Sequence, residues 1–303
     1  MKKEKTKFVC ASCGYESIRW LGKCPECESW NTFSEEVVVK QEAKGKQGYS
    51  GPLNISKLHK IESSSVSRFS SGIQELDRTL GGGFVPGSVI LLGGEPGIGK
   101  STILLQSLAL LKKPSLYVTG EESLQQIKMR AERLGIASDL ITILAETDLN
   151  KILSAINDTE PTLFVIDSIQ TVHNPELMSS PGTVSQIRES AYALMENAKT
   201  TGRTAVIIGH VTKEGSLAGP KILEHMVDTV LQFEGDGNNL FRIIRAIKNR
   251  FGSSNEIGVF EMQGSGLKEV PNPSGVFLNE DKTVNSGSCI TAVFEGTRAI
   301  LTE

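Results

Sequence analysis

A chain of 303 residues with a formal net charge of −3, 39% hydrophobic and 22% charged residues has the makeup of a large globular domain with appendages, not of a fibre or a disordered chain. No apolar run approaches the ~20 residues that span a bilayer, and the basic start MKKEKTKFVC meets no hydrophobic stretch, so neither a membrane partner nor a secretory signal is expected and the protein is predicted to be cytoplasmic. Residues 1–60 carry eleven Lys or Arg against seven Glu, a balance of +4, while the remainder carries −7; contact with nucleic acid would fall to local basic segments.

The first element is the run CASCGYESIRWLGKCPEC, in which Cys10, Cys13, Cys24 and Cys27 form two CxxC pairs ten residues apart. Each pair can turn back so that both sulfurs face one centre, and four thiolates then surround a tetrahedral Zn²⁺ at about 2.3 Å. Gly14 and Gly22 fall where tight turns are wanted. A pair of disulfides is the alternative, but it needs an oxidising compartment. A closed four-sulfur site has no open position for a reacting water and is structural. Tyr15, Trp20, Trp30 and Phe33, with Arg19 and Lys23, would make either a binding surface or a miniature core. The zinc ribbon is placed at residues 1–36, and the polar stretch 37–67 reads as a linker whose LNISKLHK holds an apolar trio.

From Phe69 onward apolar strands alternate with amphipathic helices, which predicts an α/β domain, residues 68–271, built on a mostly parallel sheet. The strands are SVILLG, SLYVTG, LITIL, TLFVID and TAVIIGH, followed by VDTVLQF, LFRIIRAIK and EIGVFEM. These last three lack long intervening helices and are expected to finish the sheet antiparallel. Between the first strand and the leucine-rich STILLQSLALL lies GGEPGIGKS, where Gly94, Gly99, Lys100 and Ser101 fit the phosphate-loop pattern GxxxxGK[ST]. Gly94, Glu95, Pro96, Gly97, Ile98, Gly99, Lys100, Ser101 and Thr102 would cradle the phosphates of a nucleoside triphosphate, ATP or GTP. There backbone N–H groups and the helix start face the anion, Lys100 neutralises charge and Ser101 ligates Mg²⁺.

Three strand ends carry further chemistry. TLFVID ends in Asp167, a carboxylate that can hold Mg²⁺ through water opposite Ser101. SLYVTG leads to Glu121 and Glu122, one suited to a helix start and the other to activating a water, and Ser123 with Gln126 forms a capping box for the helix that follows. TAVIIGH ends in His210, either a γ-phosphate sensor or a satisfied hydrogen-bond partner. Lys248 to Gly252, KNRFG, would on composition alone be a solvated basic turn.

The segment FSSGIQELDRTLGGGFVPGSVILLGGEPGIGKST resembles the opening of the RecA/DnaB/KaiC class of ATPases, and residues 69–260 follow that class strand by strand. The four-cysteine start, the run GHVTKEGSLAGPKILEHMVDTVLQFEGD and above all KNRFG resemble the bacterial RadA (Sms) family of DNA repair proteins. The resemblance implies that Glu121, rather than Glu122, activates the water and that Asp167 is the Walker B carboxylate. It also implies that Lys248 and Arg250 reach the ATP of an adjacent subunit, so that hydrolysis depends on a homohexameric ring. In such rings the loops HNPELMSSPGTVSQIRE, with Arg188, and VTKEGSLAGPK, with Lys213 and Lys221, face the channel and hold single-stranded DNA. The first of them has the composition of a mobile loop.

The end of the chain, GSCITAVFEGTRAILTE, alternates as a β-hairpin that should pack on the core or be mobile, and Cys289 reads as a small apolar residue within a strand. The family resemblance makes residues 272–303 the truncated start of a Lon-protease-like domain. The function it implies is a DNA-stimulated ATPase that extends or processes branched recombination intermediates, with the recombinase RecA as partner. Two other readings stand beside it: a KaiC-like ATPase or kinase acting on protein, and a non-catalytic adaptor that uses ATP as an assembly switch.

Overall fold

A computed structural model describes residues 5–10, 14–38, 57, 67–211, 217–218, 222–235, 240–278 and 289–302; Cys13, Lys213, Lys221 and most of the expected linker lie outside these. The chain opens with β1 (Lys5–Cys10), which pairs antiparallel with β2 (Glu16–Ser17) and β3 (Phe33–Val38) in the order β2-β1-β3. The main body then runs through α1 (Gln74–Thr79), β4 (Val89–Gly94), α2 (Lys100–Leu111), β5 (Ser115–Thr119), α3 (Leu124–Arg133), β6 (Ile141–Ala145), α4 (Leu149–Thr159), β7 (Leu163–Asp167), α5 (Val184–Thr201) and β8 (Thr204–Ile208). A short pair, β9 (His210–Val211) and β10 (Leu217–Ala218), precedes α6 (Ile222–Met226). The sheet resumes with β11 (Thr229–Gly235), β12 (Phe241–Asn249), β13 (Ile257–Gln263) and β14 (Gly266–Glu269), and the chain closes with α7 (Ser274–Phe277), β15 (Thr291–Glu295) and β16 (Arg298–Thr302).

Nine strands form one sheet in the order β14-β13-β12-β11-β4-β8-β7-β5-β6. Its central strands are apolar at nearly every position because both faces are covered, and their residues divide with period two. On β4, Ile90 and Leu92 join Tyr117, Val165 and Val206 in a core roofed by α1, α2 and α3. Val89 and Leu91 join Phe164, Ile166 and Ile207 in a second core roofed by α4 and α5. β4 continues through α2 to β5 on one side, whereas β8 continues through α6 to β11 on the other. The chain therefore reverses its direction of travel beside β4, the place where open α/β sheets form a crevice at the strand tips.

The antiparallel finish begins one strand later than the sequence pattern predicts. β11 lies parallel to β4, with Thr229 opposite Ile90 and Phe233 opposite Gly94, because the chain from β8 through α6 returns to the same end of the sheet. Only β12, β13 and β14 run antiparallel.

The hairpin β15–β16 docks on the edge of this sheet. Ile300 packs against Ile257 and Val259, and Thr297 N–H donates to Glu256 Oε1 at 2.8 Å. Cys289 lies exposed ahead of β15 rather than inside a strand. The hairpin's strongest tie is Arg298, whose Nη1 donates to both carboxylate oxygens of buried Glu75, at 3.0 and 2.8 Å. Glu75 Oε2 also accepts from Val259 N–H at 2.9 Å, so this carboxylate joins α1, β13 and β16. Removing Arg298 would leave this buried carboxylate with only Arg78 as a cation, its Nε 3.9 Å away. Arg298→Ala is expected to lower the free energy of unfolding by about 3 kcal/mol, read as a drop in the urea midpoint.

Candidate nucleotide site and cysteine cluster

The loop between β4 and α2 adopts the geometry its glycines imply. Gly94 has φ +154° and sits so close to β11 that an added Cβ would lie 2.8 Å from the Phe233 carbonyl oxygen; Gly99, with φ +119°, turns the chain into α2. Lys100 is buried, and its Nζ donates to the carbonyl oxygens of Gly94 and Glu95 at 2.7 and 2.8 Å. Burial lowers its pKa to about 8, against the opposing pull of Asp167, Glu121 and Glu95. Polyanionic phosphate is the ligand that best compensates a desolvated ammonium held in such a loop.

The parallel ladders bring the remaining groups to the same level. Thr119 pairs with Asp167 across β5 and β7, and Ile208 at the end of β8 pairs with Leu92 of β4. A cleft of about 270 Å³ results, lined by Pro96, Gly97, Gly99 to Thr102, Thr119, Glu121, Glu122, Arg130, Arg133 and Asp167. Ser101 and Asp167 are linked through Tyr117, whose hydroxyl donates to Asp167 Oδ2 and is hydrogen-bonded by the Ser101 side chain. Burial, reinforced by Asp167, pushes the Tyr117 phenol well above its usual range and keeps it protonated. A serine hydroxyl beside a carboxylate is an all-oxygen donor set that fits a hard, partly hydrated divalent cation.

Glu121 Oε1 accepts from Ser168 Oγ at 2.6 Å, while Glu122 is ion-paired with Arg130. The capping box of Ser123 and Gln126 is present at the start of α3. Arg242, from β12, is buried and donates through Nε to the Ile98 carbonyl at 3.1 Å, bracing the phosphate loop from behind.

Sequence reasoning missed Tyr117, Arg130, Ser168 and Arg242. Only Tyr117 left a signal, a hydroxyl inside an otherwise apolar strand that must find a partner. Arg130 reaches the cleft from two turns into α3, and Arg242 comes from a strand 140 residues away in sequence, so neither stands beside the motif.

KNRFG is not brought to this cleft within one chain. Asn249 pairs with Thr229, which pairs with Ile90, whereas Gly94 pairs with Phe233. KNRFG is therefore displaced from the phosphate loop by about 13 Å along the strand direction alone, at the opposite end of β11. Nor is it a freely solvated turn. Lys248 Nζ donates to the carbonyls of Glu224, His225 and Val227 at 2.7, 3.3 and 2.8 Å, closing the end of α6, and desolvation lowers its pKa from 10.5. Arg250 Nη1 lies 3.4 Å from Asp228 Oδ1, a carboxylate that also accepts from Val89 N–H at 3.1 Å and faces Lys199 at 3.5 Å.

The loop after His173 is wound around one buried side chain, in contrast to its mobile composition. Gln186 donates to the carbonyls of Asn174 and Ser179 at 3.2 and 2.8 Å and accepts from Asn174 N–H at 2.7 Å. Arg188 lies on α5 and pairs with Glu189 at 3.2 Å. Lys213 and Lys221 lie outside the described residues, as does the side chain of His210.

In the ribbon, Cys10 and Cys24 are buried, and the sulfurs of Cys10, Cys24 and Cys27 lie within 4.8 Å of one another. Cys10 Sγ is 3.7 Å from Cys27 Sγ. Sulfurs about 2.3 Å from a tetrahedral zinc stand ~3.8 Å apart, whereas a disulfide requires ~2.05 Å. The two knuckles share one hydrogen-bond pattern: Gly14 N–H donates to the Cys10 carbonyl and Cys10 N–H to Tyr15, as Glu28 N–H donates to Cys24 and Cys24 N–H to Ser29. The left-handed residues are Gly14 and Glu28, with Asn31 beyond, not Gly22. Gly22 is a small residue beneath the rings of Trp20 and Trp30. Phe33 belongs to the ribbon's core, while Trp20 and Trp30 are 52% and 69% exposed.

Comparison with known proteins agrees with both parts of this architecture. The family model described as a rubredoxin metal binding domain matches residues 8–35, which together with the cysteine cluster makes the N-terminal unit a zinc ribbon. A second model, a family of unknown function (DUF7125), matches residues 68–254, more than half of the chain. Among solved structures, a KaiC-like protein from Pyrococcus horikoshii superimposes with a TM-score of 0.56 at 24% identity, covering 68% of this chain and all of that one, and shows the RecA/KaiC-like fold. The DNA repair protein RadA of Halalkalibacterium halodurans is 52% identical over all of this chain and 68% of its own length. RadA of Bacillus subtilis is 53% identical with the same coverage, and RadA of Pseudomonas aeruginosa is 48% identical over all of this chain and 68% of the relative. With half of its residues shared along its whole length, the chain belongs to the DUF7125 family and to the bacterial RadA family of DNA repair proteins.

Proposed function

We propose that the chain hydrolyses ATP in response to single-stranded DNA and uses the energy to move DNA strands at branched recombination intermediates, acting as a homohexameric ring in the cytoplasm with the recombinase RecA as a partner. The observation that carries this reading is the meeting of Lys100, Ser101, Glu121 and Asp167 in one cleft at the tips of β4, β5 and β7.

The phosphate-loop N–H groups and Lys100 would hold the β- and γ-phosphates, with Gly94 to Thr102 as the cradle. Ser101 and Asp167 would hold Mg²⁺, which supplies charge neutralisation across the phosphates. Glu121 would take the proton from a water as its oxygen attacks the γ-phosphorus and the bond to the β-phosphate oxygen breaks, releasing ADP and phosphate. Ser168 holds Glu121 in place for that transfer.

Lys248 and Arg250 would serve the site of the next subunit. Their distance from the phosphate loop of their own chain supports this, and half of the Arg250 side chain remains exposed. Arg188, Lys213 and Lys221 would line the DNA path, with affinity that rests on several subunits and falls with salt. In this reading the ribbon is residues 1–36, the linker 37–67 and the ATPase domain 68–271, and residues 272–303 begin a Lon-like domain.

An ATPase assay with and without single-stranded DNA tests the reading. Stimulation by DNA is expected. Turnover indifferent to DNA would instead favour a KaiC-like enzyme acting on protein, and nucleotide binding without turnover an ATP-switched adaptor. Lys248→Ala and Arg250→Ala are each expected to lower kcat at least ~100-fold while nucleotide affinity stays within about threefold, the pattern for a group that acts only on transferring phosphoryl; wild-type rates in either variant would remove the trans assignment. Metal analysis should find about one zinc per chain, and Cys24→Ser should lower that content and loosen the ribbon, seen as faster proteolysis before residue 38.

A further inference from the structure

Two adjacent glutamates enter the nucleotide cleft, and their surroundings differ. Glu121 is held by the hydroxyl of Ser168, a neutral donor that leaves the carboxylate its charge. Glu122 is held by the guanidinium of Arg130, a cationic donor. The backbone around this pair is well fixed. Glu122 N–H donates to Thr119 Oγ1 at 3.0 Å, and Ser123 and Gln126 cap α3 reciprocally, so that Arg130 returns to the cleft two turns along the helix.

The pair is also incomplete. Glu122 Oε2 and Arg130 Nη1 are both buried, and neither finds a hydrogen-bond partner among the described residues. A buried donor without an acceptor costs free energy unless a ligand completes it. In a cleft lined by the phosphate loop, that ligand is a phosphate oxygen of the nucleotide.

We propose that Arg130 is a positioning residue of this site. It keeps Glu122 as one half of a neutral pair turned away from the attacking water, offers its second amino group to the nucleotide, and thereby makes Glu121 the group that receives the water's proton. The inference rests on the ATP hydrolysis proposed above and assigns it to one of the two carboxylates. Without Arg130 the carboxylate of Glu122 would lose its ion-pair partner beside Glu121 and a triphosphate, and the repulsion would weaken nucleotide binding and disturb the water.

The test compares steady-state ATPase kinetics of the full chain with those of Arg130→Gln and of the double variant Arg130→Gln/Glu122→Gln. Arg130→Gln should raise KM for ATP about tenfold, the effect of ~1.4 kcal/mol, and lower kcat. The double variant should recover most of the KM, because the carboxylate that Arg130 neutralised is gone; an arginine needed only for the stability of α3 would show no such recovery. Wild-type KM and kcat in Arg130→Gln, or a double variant no better than the single one, would overturn the proposal. Should Arg130→Gln fail to fold, the glutamates decide: Glu121→Gln is expected to cost ~100-fold or more in kcat with the affinity for a fluorescent ATP analogue retained, and a larger loss in Glu122→Gln would overturn the assignment. Absence of ATP hydrolysis by the wild-type chain would instead sink the proposed function itself.

Discussion

The hydrogen-bond register of the parallel ladder from β4 through β8 and β7 to β5 sets the height of every group in the cleft. Leu92 with Ile208, Ile166 with Ile207, and Thr119 with Asp167 are fixed pairings, and a slip of one residue would turn each strand's apolar set onto the wrong face. Two covered cores penalise such a slip on both sides of the sheet at once. The precision of the site is thus inherited from the burial of strands such as LFVID, whose side chains alternate between the two cores until Asp167 emerges at the tip.

Within that frame most of the polar groups of the cleft rest on partners from the same chain. Lys100 rests on two loop carbonyls, Asp167 on a phenol that is linked in turn to Ser101, Glu121 on a serine and Glu122 on an arginine. Groups held in this way are oriented by the fold itself, which is the physical content of preorganisation.

Much of this was legible in the sequence because it rests on local patterns. The phosphate loop, the apolar strand ending in Asp167, the capping box after Glu122 and the paired CxxC knuckles are each contained in fewer than twenty residues, and each carries a conformational requirement that few residue types meet. What was not legible depends on distance. Arg242 braces Ile98 from across the sheet, Arg298 neutralises Glu75 from the far end of the chain, and Glu28 rather than Gly22 adopts the left-handed turn because the second knuckle repeats the hydrogen bonds of the first. The direction of β11 was misjudged for a related reason. The sequence showed no long helix before it, yet the five residues of α6 suffice to return the chain for a parallel pairing.

Asp228 shows how an arginine at the edge of a packed core can be backed by a second cation. A buried carboxylate that loses its only cation is a severe defect, yet this one faces both Lys199 and Arg250 and also accepts from the backbone at the root of β4. If Arg250 departs toward another molecule, Lys199 stays behind as a resident counter-ion and the core never holds an uncompensated charge. The second cation would work as a spare, keeping Asp228 paired whichever partner Arg250 takes.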